Sequence, residues 1–397
     1  MTTTAASAVS GRLHPEDCHL DDLLAVLAAE TDPAGYPRAD RVEQGVLIYS
    51  GAALGAATAD QAGRQSVEAE LARALSDGPG IVAFEGAFAP EVVDRATAAF
   101  ERIIAEQRAS GAQSGDHFAK PGANDRVWNA LEKLAALDPD AFVDYYASDL
   151  LALAASAWLG PAYQVTSQVN VVNPGGAGQT VHRDYHLGFQ SPEVSAAYPA
   201  HVHALSPVLT LQGAVAHCDM PVESGPTLYL PHSQKYSHGY LAYWLPEFQD
   251  YFGQHHIQLP LAKGDAVFFN PALFHAAGSN HSTDIHRMAN LLQVSSAFGR
   301  AMEAVDRARV VEAVYPTLLA RKAAGAPARD LANAIAASAE GYAFPTNLDR
   351  DQPVDGMSPR TQAQIVQDAL DAELSPGRLA EEMSAHHTRT QTHGPLR

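Results

Sequence analysis

The chain is expected to fold as an α+β protein, with an antiparallel β-core of sandwich or barrel type between two helical regions. Three observations predict this. Helical patterns crowd the stretch before residue 160 and return after residue 300. Short apolar segments with strand character fall between them. Pro-Gly, Glu-Ser-Gly-Pro and Lys-Gly-Asp turns punctuate that middle stretch. The regular β-α-β alternation that a parallel sheet requires is missing.

The elements follow in order. Residues 1–65 are mixed, with a short helical pattern over Asp21–Glu30 and turn signals at Asp32–Pro37. Ser66, with Glu68 and Glu70 behind it, is expected to cap a helix ending near Asp77-Gly78-Pro79-Gly80. Ile81–Phe84 is a short strand. Pro90 opens a long amphipathic helix to about Ala109, because Val92, Val93, Ala96, Phe100, Ile103 and Ile104 recur on one stripe. A loop around Gly115, Pro121 and Gly122 follows, then helices over Arg126–Leu137 and Asp149–Leu159. Strands are predicted at Tyr163–Val172, Val208–Ala216, Thr227–Leu230, Ala266–Phe269 and Arg287–Phe298. Helices return after Ala301, among them Thr361–Leu374 and Arg378–Ala385.

Composition narrows the function. The 397 residues are 46% apolar, which supplies a sizeable core and excludes a largely disordered chain. There are 26 Lys+Arg against 45 Asp+Glu, a net charge of −19. Phosphate backbones and anionic lipid surfaces need a basic face, so neither nucleic acid nor membrane is the expected partner. Two cysteines, Cys18 and Cys218, make neither a disulfide framework nor a thiolate metal site, and fit a reducing compartment. The opening MTTTAASAVSGR lacks the basic and apolar regions of a secretory signal, and no apolar run is long enough to cross a bilayer. The expectation is a soluble, cytoplasmic protein acting on a small molecule, with its oligomeric state open.

The histidines carry the chemistry. There are 18, concentrated between positions 182 and 286. In Thr180-Val181-His182-Arg183-Asp184, His182 and Asp184 lie two apart at the end of a strand-like segment. Side chains at i and i+2 of a strand share a face, so an imidazole and a carboxylate can reach one ion. The bland alternative is a turn with a solvated Asp and a partly buried His. His275 comes 93 residues after His182, just past the apolar strand that Gly264-Asp265 launches, and Arg287 opens the next strand. Two His and one carboxylate on one face of an octahedral Fe(II) leave three positions open. A 2-oxo acid can take two of them and O2 the third. The far carboxylate of 2-oxoglutarate then needs a cation, and the planar fork of Arg suits it.

At this point the sequence resembles the phytanoyl-CoA dioxygenase family of Fe(II)/2-oxoglutarate-dependent oxygenases. Besides His182, Asp184, His275 and Arg287, the segment Glu223-Ser224-Gly225-Pro226-Thr227-Leu228-Tyr229-Leu230-Pro231-His232-Ser233-Gln234-Lys235 is similar to the family's E-N-G-P-L-x-x-x-P-G-S-H-K stretch. The stretch from Gly264-Asp265 to His275, and the Gly80–Phe84 strand with the Pro90 helix, also look like the family. The likeness covers roughly residues 66–298.

The resemblance implies a double-stranded β-helix core, jelly-roll or cupin-like, with flanking helices. It implies Fe(II), 2-oxoglutarate and O2 as cofactor and co-substrates, with His182, Asp184 and His275 on the metal and Arg287 on the co-substrate. Gln168 and Asn170, which share a strand face, would approach the co-substrate. From their residue types, Tyr185, His186, Phe189 and Trp244 could shape the substrate pocket, although such aromatics are more often simple core. The catalytic domain would span 66–300, with a partly helical N-terminal extension over 1–65 and a helical C-terminal extension over 301–397 that packs on the core. The reaction expected is hydroxylation of a small metabolite, with desaturation, epoxidation or ring formation left open because they depend on substrate placement. Asp184 speaks against a halogenase, which needs that carboxylate position vacated.

Three positions depart from the family pattern. His232 stands for the usual Gly, Gln234 for the usual His, and Ala289 for the Ser or Thr often found two residues after the Arg. Two other classes remain as alternatives. One is a non-catalytic jelly-roll binding protein. The other is a cupin-type metal enzyme using His201, His203 and His217, where structural or surface histidines are the blander explanation.

Overall fold

A computed structural model describes residues 11–110, 123–353 and 356–392. The loop expected around Gly115, Pro121 and Gly122, and most of the N-terminal MTTTAASAVSGR stretch, lie outside the described residues.

Eleven strands are defined among them: β1 (Arg41–Glu43), β2 (Val46–Ser50), β3 (Ile81–Glu85), β4 (Asn124–Val127), β5 (Gln164–Val172), β6 (Thr210–Ala216), β7 (Leu228–Leu230), β8 (Ile257–Gln258), β9 (Ala266–Phe269), β10 (Phe274–Ala276) and β11 (Arg287–Ser295). They form an eight-stranded sheet, ordered β1-β2-β3-β9-β6-β11-β5-β4, and a three-stranded sheet, β10-β7-β8. The two sheets, with an internal cavity lined from both, are the jelly-roll core that the resemblance implied. Pairing is antiparallel except between β2 and β3, which are parallel. That exception has a cause. The helices Gly51–Ala57 and Gln61–Ser76 carry the chain from the end of β2 back to the start of β3, and parallel neighbours need such a crossover.

Strand alternation assigns the two faces of the large sheet. Leu47 and Tyr49 of β2, Val82 and Phe84 of β3, and Ala266 and Phe268 of β9 belong to the main core. Their neighbours Val46, Ile48, Ile81, Ala83, Val267 and Phe269 belong to a second cluster with Tyr229 of the small sheet. The period of two therefore separates a helix-covered outer face from an inner face that meets the small sheet. Helices Pro90–Ala109, Ala130–Leu137, Pro139–Tyr146 and Asp149–Leu159 cover the outer face.

Both flanking segments join the core. β1 and β2 extend the large sheet from residues 41–50. Val310, Val311, Val314 and Leu318 of helix Arg307–Ala323 enter the main core, as do Leu331 and Ile335 of Ala328–Ser338.

Several local expectations change. The helix expected to take Ser66 as its cap starts at Gln61, because Asp60 accepts from Gly63 N at 2.7 Å and caps it six residues earlier than the Ser66-Glu68-Glu70 signal suggests. The expected helix Arg126–Leu137 splits: Asn124–Val127 pairs with β5 as a strand, and Asn129, at φ +50°, breaks the chain before the helix Ala130–Leu137. His201-x-His203 lies on the short helix Ala200–Leu205, where i and i+2 do not share a face.

Candidate metal centre and co-substrate cavity

Two distant stretches meet at a single antiparallel bridge. His182 N donates to His275 O at 3.0 Å, and His275 N to His182 O at 3.2 Å. On its other side β10 pairs with β7, which sets His275 opposite Tyr229. The next backbone contact, Asp184 N to Pro271 O at 3.0 Å, holds Asp184 on the same side as His182. The expected i, i+2 placement is thus met, by one bridged residue pair in place of a full strand.

The ring nitrogens are oriented by the backbone. His182 Nδ1 lies 2.8 Å from Thr180 O, and His275 Nδ1 lies 2.9 Å from Leu273 O. A carbonyl only accepts, so both Nδ1 atoms carry the proton and both Nε2 atoms present lone pairs. Those lone pairs face Asp184: His182 Nε2 is 3.6 Å from Oδ1, and His275 Nε2 is 3.4 Å from Oδ2. The Gln212 side-chain amide donates to Asp184 Oδ2 and fixes the carboxylate from behind. Burial acts to raise the Asp184 carboxyl, but the attraction of His182 and His275, which acts when those rings are protonated, and the Gln212 donor outweigh it and hold it below the usual carboxylate range. Burial lowers the His182 imidazole and keeps it neutral near pH 7, as a ligand must be.

Among the described residues this is the one His/Cys/Asp/Glu group able to share an ion, with its ligand atoms within 4.8 Å of one another. Two imidazoles and a carboxylate converge, which is the donor set that suits Fe(II) and leaves open positions. The residues present therefore fit the metal.

Arg183, between the two ligands, is fully buried and points away from them. Its guanidinium donates to Ser233 O at 2.6 Å and Tyr236 O at 2.9 Å, and lies over the Tyr240 and Phe274 rings at 5.2 and 5.1 Å. It ties the ligand-bearing segment to the Ser233–Tyr240 stretch.

His182, Asp184 and His275 open onto a cavity of about 840 Å³ between the sheets. Arg287 reaches it from the first residue of β11. It is buried, donates only to Gly278 O, at 3.1 Å, and has no carboxylate partner among the described residues. Burial lowers it to about 10, so it still carries its charge at neutral pH. Ala289 also lines the cavity, next to Arg287 on the inner face, and Thr227 and Tyr229 line it from the small sheet.

The other residues singled out in the sequence divide. Asn170 and Phe189 line the cavity. Gln168 does not: it is buried behind the wall, donates to Gln293 Oε1 at 2.8 Å and accepts from Arg126 at 3.3 Å. Tyr185 and His186 do not line it either. Their φ angles of +64° and +47° turn the chain sharply after Asp184. Tyr185 is buried with its hydroxyl on Met302 Sδ at 3.4 Å, and His186 packs beside Ser206.

The His201 set is not a metal site. His201 is exposed, His203 Nε2 bonds Ser195 O at 2.9 Å, and His217 bonds Thr97 Oγ1 at 2.8 Å and the Tyr145 hydroxyl at 3.0 Å. The sequence reading did not single out Gln212, Arg183, Trp128 or Met302. Gln212 had a signal, a polar residue inside the apolar run Leu211–Ala216. The others had none, since their places depend on distant packing.

The jelly-roll core, the His-Asp-His cluster and the buried cation on the same cavity define a non-haem iron, 2-oxoglutarate-dependent oxygenase. The model of the phytanoyl-CoA dioxygenase family matches residues 76–289, more than half of the chain, and the chain belongs to that family. Solved structures similar to it include the non-heme alpha ketoglutarate dependent epimerase SnoN from nogalamycin biosynthesis, at 21% identity and a TM-score of 0.37, over 60% of this chain and 84% of that one. The alpha ketoglutarate dependent carbocyclase SnoK, from the same biosynthesis, shares 23% identity with a TM-score of 0.43, over 59% and 86%. HygX from Streptomyces hygroscopicus, solved with nickel, 2-oxoglutarate and hygromycin B bound, shares 16% with a TM-score of 0.42, over 58% and 88%. No curated protein sequence matches the chain. No helix among the described residues is long and apolar enough to cross a membrane.

Proposed function

We propose that the protein hydroxylates a small metabolite. The observation that carries this reading is one cavity shared by a two-histidine, one-carboxylate cluster and a buried guanidinium with no carboxylate partner among the described residues. In this reading His182, Asp184 and His275 hold Fe(II), and Arg287 pairs with the far carboxylate of 2-oxoglutarate. When bound, Fe(II) supplies the oxidising chemistry, in which substrate C–H, 2-oxoglutarate and O2 become C–OH, succinate and CO2.

The chain's own residues orient and exclude. The backbone acceptors Thr180 O and Leu273 O fix the tautomer of each imidazole. Gln212 aims the Asp184 carboxylate. Val267, Phe269, Leu259 and Leu261 line the cavity with apolar surface and keep water away from it. Thr227 and Tyr229 complete the polar contacts around the carboxylate on Arg287, in place of the hydroxyl that Ala289 lacks. Asp184 occupies the third donor position, so no vacancy is left for a halide and hydroxylation is favoured over halogenation.

The test is a 2-oxoglutarate titration at saturating Fe(II), read as succinate formed. In Arg287→Lys a point charge replaces two parallel donors. Losing that buried pairing costs roughly 2–5 kcal/mol, so the apparent constant for 2-oxoglutarate should rise about 30-fold or more. Iron binding should survive in this variant and be lost in His182→Ala and His275→Ala. An unchanged 2-oxoglutarate constant in Arg287→Lys would place the cation elsewhere and overturn the assignment.

A further inference from the structure

The aromatic side chains on the cavity wall are of two kinds. Phe269 and Tyr229 are buried and pack on the metal side, with the Phe269 ring 4.9 Å from His275 and 5.2 Å from Tyr229. Phe189 and Trp244 also line the cavity, yet they leave 54% and 45% of their surface in water. Large aromatic surface left in water is unfavourable, and on the rim of a cavity it marks where a ligand removes it.

The fold holds this pair on one rim. Phe189 ends the short helical turn His186–Phe189, and Trp244 follows the helix Gly239–Ala242. Tyr243 joins the two segments: its hydroxyl donates to Gly188 O at 2.8 Å, and its ring stacks on Trp244 at 5.1 Å and 29°. Gln249 donates to Tyr243 O at 3.1 Å and Trp244 O at 3.4 Å, which fixes the backbone behind the indole. Phe189 rests edge-on against Tyr185 at 5.6 Å. Each exposed ring is thus backed by a buried tyrosine and is not a loose loop tip.

A rigid aromatic face that meets water suits the flat face of another ring, whether a π face or the C–H face of a sugar. It suits a flexible chain poorly, because a chain needs a continuous apolar channel. The cavity wall instead carries amides, at Gln179, Gln249, Gln293 and Asn170. We propose that Phe189 and Trp244 are a specificity-determining pair, and that the primary substrate is a ring-bearing small molecule whose flat face packs on them. This rests on the oxygenase reading of the same cavity for its chemical consequence, but the ring preference is measurable without turnover.

The experiment is ligand-observed NMR titration of the full chain with three probes: 2-naphthol, methyl β-D-glucopyranoside and n-octanol. At least one ring probe should bind more tightly than n-octanol. Its dissociation constant should rise about tenfold in Phe189→Ala and in Trp244→Ala, and Trp244→Phe should restore most of the loss. The ring that responds separates an aromatic from a sugar substrate. Both side chains are half in water, so thermal melting should show the variants folded. Ring probes that bind no better than n-octanol, or that bind both alanine variants unchanged, overturn the proposal. 2-Oxoglutarate is titrated into the wild type in parallel. Failure there overturns the oxygenase reading, while the ring result stands on its own.

Discussion

At His217 a single buried ring carries a stability consequence. Its two nitrogens bond the hydroxyls of Thr97 and Tyr145, and it packs against Phe100 at 5.8 Å. Burial pushes its pKa down to about 3, against about 6.5 in an unfolded chain. Between those values the unfolded chain binds the proton and the folded one does not. The stability due to this neutral ring is therefore complete above about pH 6.5 and is lost as pH falls. Urea midpoints should drop between pH 6 and 4. The part owed to His217, up to about 1.4 kcal/mol per pH unit, should vanish from the slope in His217→Gln. Equal slopes in the two proteins would show that the ring titrates normally. Two family departures have equally local explanations. His232, at φ +70°, bonds Thr31 Oγ1 at 3.1 Å, and Gln234 donates to Gly78 O at 3.0 Å. Each substituted side chain ties the motif to a segment earlier in the chain.

The element that carries His275 depends on the turn before β7. Gly225 sits at φ +75°, and a Cβ there would lie 2.2 Å from Ser279 O. Both the backbone conformation and the close approach demand glycine. β7 follows directly and pairs Tyr229 with His275. Gly225→Ala should destabilise the fold by about 1–3 kcal/mol and weaken metal binding together with it, read as a lower melting temperature and a raised Fe(II) dissociation constant. A wild-type melting temperature would mean that the Ser279 backbone moves aside freely. The same turn was visible in the sequence as Glu-Ser-Gly-Pro, but its reason was not. Ser279 lies more than fifty residues away, and only the fold brings it there.

Over the whole molecule, the outer face of the large sheet is covered from both ends of the chain. Helices before β5 and helices after β11 share one core, in which Phe100, Leu153 and Val294 meet Val311, Leu318, Ile335 and Val366. Arg307, buried in that layer, donates to Val165 O and Ala337 O, both at 2.7 Å, and so links the C-terminal helices to β5. A chain ended at residue 300 would uncover this apolar face and leave the Val165 carbonyl without its donor. It should aggregate or fail to fold, with no cooperative melt and no 2-oxoglutarate binding. A soluble, cooperatively melting 1–300 fragment would show that the C-terminal helices are dispensable to the core.

Short-range physics made much of this protein legible in its sequence. The Pro90 stripe gave the helix Pro90–Ala109 at both ends, and the apolar run Ala266–Phe269 gave β9. The residue types His-x-Asp, a distant His and an Arg on the following strand pointed to one cavity, because iron and a dicarboxylate restrict which side chains can serve. Other features depend on partners far along the chain, where pattern carries little information. β1, β2, β4 and β10 are short, and they form only because neighbouring strands accept their backbone hydrogen bonds. Tyr185 looked like a pocket residue from its place after Asp184, yet a left-handed turn buries it behind Phe189. Trp244 could be read from the sequence as a pocket aromatic or as simple core, and only the Tyr243–Gly188 hydrogen bond, which brings it to the rim, decides between them. The sequence determined which chemistry the chain can hold, since ligand type is a property of single residues. The tertiary structure decided which side chains face the cavity, since that depends on packing between segments more than fifty residues apart.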